Sequence, residues 1–312
     1  FFKSRIKRLL PAFFVTNLLF LTIGTLVLTP FEFVQLQNQV VSSAVFGNNF
    51  YFWTIESYFE KSYFNPLLNL WSLGVEIQFY LLFPLLALIW KKSKLFISFV
   101  SIASFLLCLL IVTVSPKTSF YLMPTRFWEF YLGILSAHFF MRKENFSLIK
   151  NESFVSLCLF ALLIIFILFF PFAPKTQSLI FSHPSVGSLL VCSLTALILY
   201  FGISNDFFEN FLGKLFIKLG DVSYSAYLVH FPIIIFYNYS PFSGTNMGYS
   251  SAYDLIALLL LITFTTAIVY TFFERGNFLE KKTYVLTFFI SIFMISSPFL
   301  LKELNKGIFE AD

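Results

Sequence analysis

Charged side chains are scarce here. Asp, Glu, Lys and Arg make up 12% of the 312 residues, against 58% hydrophobic, and the mean hydropathy is +0.82. No soluble core needs that much apolar surface, so the scarcity excludes a soluble globular domain and points to a multispanning membrane protein. Cysteine is scarce too. Cys108, Cys158 and Cys192 each lie in apolar runs, so they read as packing residues and not as disulfides or metal ligands. No phosphate-binding Gly-rich loop, dinucleotide fingerprint or paired-cysteine motif occurs, which removes the nucleotide-driven and redox classes that such motifs mark. The net charge of +5 sits in short loops between apolar runs. It therefore reports membrane orientation and gives no sign of nucleic-acid binding.

What is present is long hydrophobic runs. A span needs about 20 apolar residues. The sequence predicts an all-α, polytopic transmembrane helix bundle with about nine spans, near 12–29, 67–90, 95–115, 123–141, 154–170, 186–203, 222–240, 252–273 and 283–301. Alternate loops carry 15 of the 21 Lys and Arg residues, at 3–8, 91–94, 142–150, 214–218 and 274–282. Basic short loops stay in the cytoplasm, so Phe1 is expected inside and Asp312 outside. The longest loop, residues 30–64, then lies outside and carries Glu32, Glu56 and Glu60. The chain opens on Phe1 with the basic amphipathic segment FFKSRIKRLLP and no visible signal peptide, and an upstream portion is expected.

Against this background a few polar residues stand out. Residues 65–84 read NPLLNLWSLGVEIQFYLLFP, with Glu76 and Gln78 but no Lys or Arg. Offsets of 4, 7, 11 and 15 from Asn65 place Asn69, Ser72, Glu76 and Tyr80 on one helical face. Glu76 falls about 15 Å below the outer end at the helical rise per residue. The plain reading is a structural carboxyl hydrogen-bonded between helices. The functional one is a catalytic or substrate-path residue, as intramembrane ionisable groups commonly are.

Residues 219–232, LGDVSYSAYLVHFP, space Ser223, Tyr227 and His230 along another face, with Tyr224 beside them. A single buried His is ordinarily a satisfied packing residue, but hydroxyls nearby can orient an imidazole or hold a polar ligand. In PTRFWEFYLG, residues 124–133, Arg126 and Glu129 are three apart, which suits a local ion pair at a helix start. Gly133 and Ala137 extend that face as small residues do at close helix contacts. Arg5 and Arg8, with Lys3 and Lys7, either anchor the first span or bind a phosphate-bearing cytoplasmic ligand. His138 and His183 show no metal-ligand spacing with His230.

WSLGVEIQFYLLFPLL, from Trp71 to Leu86, closely resembles the signature of the acyltransferase 3 family, integral-membrane enzymes that acylate surface polysaccharides, O-antigen, peptidoglycan or small molecules. Further segments resemble the family's in order: Arg5-x-x-Arg8, NNFYFW (48–53), SYFNPLLNLWSL (62–73), TRFWEFYLGIL (125–135), LGDVSYSAYLVHFPI (219–233) and FFERGNF (272–278). Two positions depart from the pattern. Asn69 stands where members usually carry His, and Ile77 where they carry a second Glu.

The resemblance implies a membrane domain over 1–302 whose first spans, with a His thought to be catalytic, lie upstream. It also implies an extracytoplasmic tail, 303–312, able to lead into an SGNH-type domain. On that basis the fragment alone is expected to be inactive. No bound cofactor is implied. Acetyl-CoA or another acyl-CoA is the donor substrate, and an envelope glycan or lipid-linked saccharide such as lipopolysaccharide O-antigen is the acceptor, in a bacterial inner membrane. Glu76 and His230 are the candidate catalytic residues. Arg5, Arg8, Trp71, Ser72, Gln78, Arg126, Glu129, Ser223, Tyr224 and Tyr227 are the candidate substrate-binding residues. Two other classes fit the same buried polar groups: a transporter or flippase with a Glu/His substrate or proton site, and a scaffold in which Glu76 is silent.

Overall fold

The computed structural model describes residues 2–55, 64–142, 152–169, 184, 186–203, 205–240, 244–245 and 252–275, with side chains for all of these except 2–7, 205, 206, 244 and 245. The described chain is helical apart from one two-residue hairpin, in which Tyr239 pairs with Thr245 and Ser240 with Gly244. Among the described residues six helices are long and apolar enough to cross a membrane: Arg8–Val27, Leu68–Lys92, Lys94–Val114, Glu152–Phe169, Phe211–Tyr237 and Ala252–Glu274. The chain is thus a multi-pass membrane protein, and its all-α reading holds. Two further expected spans are shorter helices, Phe127–Phe140 of 14 residues and Val186–Phe201 of 16. At 1.5 Å per residue they reach only about 21 and 24 Å, less than a hydrocarbon core of roughly 30 Å. The expected span at 283–301 lies outside the described residues.

Among the described residues twelve α-helices occur in order: α1 Phe2–Val27, α2 Pro30–Ala44, α3 Asn48–Ile55, α4 Trp71–Lys92, α5 Lys94–Val114, α6 Pro116–Tyr121, α7 Phe127–Phe140, α8 Glu152–Phe169, α9 Val186–Phe201, α10 Asn205–Glu209, α11 Phe211–Tyr237 and α12 Ala252–Val269. They form two compact units. One comprises 1–52, 62–74 and 217–312, and the other 53–61 and 75–216.

In the first unit, the segment expected to be an outer loop folds instead into α2 and α3. Its start is written in TPFE. Thr29 Oγ1 caps the amide of Glu32, the Glu32 carboxylate returns to the Thr29 amide, and Pro30 takes the first helical position. α2 then runs back along α1. A Cβ at Gly24 would lie 2.5 Å from Leu36 Cδ2, so glycine admits the close approach there. Further along, Phe46 stacks on Phe13 with ring centroids 5.1 Å apart. From residue 24 to residue 13 the paired helices cover about 16 Å. At the turn Phe46 takes φ 54°, a left-handed conformation rare for a bulky residue. Its carbonyl and Asn49 Oδ1 would each lie 3.0 Å from a Cβ at Gly74. That is why WSLG needs its glycine.

Gln39 is fully buried and bonds a distant stretch. Its Nε2 donates to Phe64 O at 2.9 Å and Asn65 Oδ1 at 3.0 Å, and its Oε1 accepts from Leu67 N at 3.1 Å. One amide thereby fixes the approach to α4. A 3₁₀ turn at Leu68–Leu70 comes next, so α4 begins at Trp71 and Asn69 precedes it.

The second unit is packed by aromatics and hydroxyls. Phe79 stacks on Phe130 at 4.3 Å and shares a core with Ile97, Phe127 and Tyr131. Ser104 Oγ donates to Pro124 O at 2.6 Å, and Ser136 Oγ to Ala196 O at 2.7 Å, which joins α7 to α9. Hydroxyl-to-carbonyl bonds of this kind hold helices together where apolar contact gives no preference over lipid. Gly133, expected at a close helix contact, has nothing among the described residues within 4 Å of its Cβ position. The correction has a simple cause, since spacing alone does not say whether a small residue meets a neighbour.

Replacing Gln39 by Leu keeps the volume but orphans a buried carbonyl and amide. It is expected to cost on the order of 3 kcal/mol. A several-degree fall in the thermal midpoint of the detergent-solubilised protein is the predicted reading, and an unchanged midpoint would show that residues 64–67 are held by something else.

Candidate functional site

In the first unit, α11 carries most of the chemistry. Pro232 lacks an N–H, so it cannot donate to the carbonyl one turn earlier in the helix. Side chains bond the carbonyls just before that point. Tyr227 O accepts from Asn69 Nδ2 at 2.8 Å and lies 2.9 Å from His230 Nδ1. The Tyr227 hydroxyl bonds the Asn69 carbonyl in return, so α11 and the turn before α4 are clasped from both ends of one tyrosine. With that phenol proton committed, the Ser72 hydroxyl donates to Tyr227 Oη at 2.6 Å. His230 Nδ1, also 3.1 Å from Ala226 O, is best satisfied as the protonated nitrogen. Nε2 is then the basic nitrogen. Asn69 Oδ1 is buried without a hydrogen-bond partner among the described residues.

Nearer the start of α1, Tyr224 Oη donates to Leu9 O at 3.0 Å. Arg8 Nε pairs with Glu274 Oε1 at 3.2 Å, and Ser225 Oγ donates to Glu274 Oε2 at 2.6 Å. Ser223 is exposed and turns to its own helix, donating to Gly220 O at 2.8 Å, so it does not join Tyr227 and His230. The Arg5 side chain lies outside the described residues. Trp71 is buried at the head of α4.

In the second unit, Glu76 is half-buried and accepts from the Tyr80 hydroxyl one turn on, as their shared face predicts. Gln78 is half-buried on the same helix. Arg126 grips Glu129 Oε2 through Nη2 at 2.8 Å and Nε at 3.1 Å, and both side chains are largely buried. The ion pair expected from their spacing is thus formed at the start of α7. Arg126 also stands 5.8 Å from the centroid of Phe120.

Sequence reasoning missed three residues. Glu274 is buried under Arg8, and only FFERGNF drew notice to its neighbourhood. Gln39 gave no signal. Glu32 was placed in an outer loop, although its capping pattern with Thr29 was readable. The Glu32 carboxylate takes the Thr29 hydroxyl at 2.5 Å and also the Tyr239 hydroxyl, which fastens the start of α2 to the residues following α11. Burial first, and the Glu32 carboxylate after it, raise the Tyr239 phenol above its ordinary pKa.

A raised folded-state value means the native state keeps a proton that the unfolded chain loses. The stabilisation is full below about pH 10, the ordinary tyrosine value, and fades as pH rises through the folded one. The gap in melting temperature between the wild type and Tyr239→Phe should therefore hold from pH 7 to 9 and close above 10. A gap that widens with pH would contradict this.

The family model described as an acyltransferase domain matches residues 1–275. The O-acetyltransferase OatA of Staphylococcus aureus (strain NCTC 8325 / PS 47) is 30% identical over 294 residues, covering 88% of this chain and 46% of that protein. A putative O-acetyltransferase of Staphylococcus aureus (strain COL) is 28% identical over 249 residues, or 76% of this chain and 41% of that protein. An uncharacterized protein of Haemophilus influenzae is 28% identical over 219 residues, or 66% and 87%. The chain thus spans about half the length of the OatA protein. No solved structure matches.

Proposed function

The chain belongs to the acyltransferase 3 family, and from that premise we propose that it is a membrane O-acyltransferase moving an acetyl or other short acyl group from acyl-CoA to a hydroxyl of an envelope polysaccharide or lipopolysaccharide. The observation that carries this reading is the family match over 275 residues in a chain whose apolar helices bury some of the polar side chains of the matched motifs, Asn69 and Ser225 among them. The two named O-acetyltransferase relatives support acetyl as the group transferred.

Acyl transfer needs a site for the donor, a base for the acceptor hydroxyl and donors for the developing oxyanion. Arg8 is half-exposed and charged, which suits the phosphates of the donor, and Arg5 precedes it by one turn. In the reaction the acceptor hydroxyl oxygen attacks the thioester carbonyl carbon. Its proton passes to a base, the C–S bond breaks, and the CoA thiolate leaves and is protonated. His230 fits the base, because its Nδ1 is anchored on a carbonyl and Nε2 is left to take the proton. Glu76, held by Tyr80, is the second candidate catalytic residue. Ser72, Tyr224 and Tyr227 supply hydroxyls along the acyl path, while Trp71, Gln78, Ser223 and the Arg126–Glu129 pair stay candidate substrate-binding residues. The donor enters from the cytoplasm, the side that holds the N-terminal end. The protein lies in a bacterial inner membrane with Asp312 outside. It needs no bound cofactor.

The test uses the complete gene in its host. Deletion should remove base-labile ester acetate from purified envelope glycans, measured by mass spectrometry. Wild type should restore it, and Glu76→Gln should restore less than about a hundredth in initial rate, the scale of a lost proton-transfer group. Full rescue by Glu76→Gln would make the carboxyl structural. Unchanged glycan acetate, with no acyl-CoA consumed by the membranes, would favour a transporter.

A further inference from the structure

Glu274 takes no part in the reaction just described, yet its placement is expensive. Its carboxylate is 3% exposed, and a buried carboxylate persists only when paired and hydrogen-bonded. Both oxygens are engaged, Oε1 by Arg8 and Oε2 by Ser225, so α1, α11 and the end of α12 meet at one carboxyl group. The backbone is adapted to deliver it. α12 passes into a π-turn over Tyr270–Glu274, closed by Arg275 N to Tyr270 O at 2.8 Å. Such a turn inserts one residue and rotates the subsequent side chains by about 100° relative to α-helical register. These turns gather at functional sites.

The pairing is one-sided. Arg8 remains 51% exposed and meets Glu274 through Nε alone. Among the described residues nothing bonds its Nη1 or Nη2. A purely structural bridge would favour the two-pronged contact that Arg126 makes with Glu129. Here the carboxylate steadies the guanidinium by one edge and leaves two nitrogens for an anion.

We infer that Glu274 is a positioning residue for Arg8. Its carboxylate, itself fixed by Ser225, holds the guanidinium so that Nη1 and Nη2 are presented to a phosphate of the acyl-CoA donor. The inference rests on the donor reading above. It also has a sign. If Arg8 acted only through its charge, the nearby carboxylate would weaken the pull on a phosphate, and its removal would tighten binding. If orientation matters, removal loosens binding.

The measurement is equilibrium binding of radiolabelled acetyl-CoA to the purified full-length gene product in detergent, with the thermal midpoint of every variant. Arg8→Ala should weaken binding about tenfold or more, the size of one charge-assisted hydrogen bond. Glu274→Gln should weaken it severalfold, Glu274→Asp less, and Glu274→Gln in the Arg8→Ala background should add nothing. Tighter or unchanged binding by Glu274→Gln, while Arg8→Ala still weakens it, overturns the inference and spares the donor reading. Equal weakening with and without Arg8 also overturns it, because Glu274 would then act through the fold. No effect of Arg8→Ala sinks the donor site and the inference together. Should Glu274→Gln not fold, Ser225→Ala replaces it. Weaker binding only when Arg8 is present supports the inference, and no change overturns it.

Discussion

A polar group surrounded by apolar helices has no water to fall back on, and this constraint organises the described structure. Several polar side chains that the sequence places in apolar runs are answered by another part of the chain. The answers are what join the helices. Asn69 and Tyr227 exchange a side-chain bond in each direction, Gln39 binds three groups more than twenty residues away, and Glu274 is shared by Arg8 and Ser225. Apolar contacts do not distinguish one helix from another, or a helix from lipid. Hydrogen bonds do, so the register of the first unit rests on a handful of amides, hydroxyls and two carboxylates.

The backbone is prepared for the same purpose. Pro232 frees carbonyl capacity in α11 close to where Asn69 and His230 bond it, and the π-turn at Tyr270–Glu274 delivers a carboxylate out of α-helical register. The left-handed Phe46 ends α2 where its ring can stack on Phe13. Each irregularity costs helical hydrogen bonding or torsional strain, and each lies beside a polar contact between elements. The regular stretches, by contrast, carry exposed leucines and phenylalanines that suit lipid.

How much of this could be read beforehand depends on the range of each signal. Hydropathy reported the long helices, because about 20 apolar residues in a row have few other uses. Periodicity reported the Glu76–Tyr80 and Arg126–Glu129 pairs, because both are local to one helix. It failed at Asn69, which the count from Asn65 put on a continuous helix. The clamp by Gln39 holds that stretch in a 3₁₀ approach instead, and nothing near residue 69 announces it. The α2 segment lies in what reads as the longest outer loop, although TPFE spells a helix start. Ser223 shows the opposite error: helical spacing set it beside Tyr227, yet a serine satisfied by its own helix needs no neighbour.

The departure at position 69 bears on how the site divides its work. An amide cannot titrate near neutrality, and this one has its nitrogen committed to Tyr227 O. Tyr227 and Ser72 are chained to one another and to the Asn69 backbone, so their hydroxyls serve as fixed dipoles. In that constellation the imidazole of His230 is the group with a ring nitrogen, Nε2, left to accept a proton. Under the proposed function, the amide at 69 leaves proton transfer to α11. The buried, unpartnered Asn69 Oδ1 remains as an acceptor, suited to orienting a hydroxyl rather than deprotonating it. Under the proposed function, positioning by an amide and deprotonation by an imidazole on the facing helix would divide the work within the first unit without a second base.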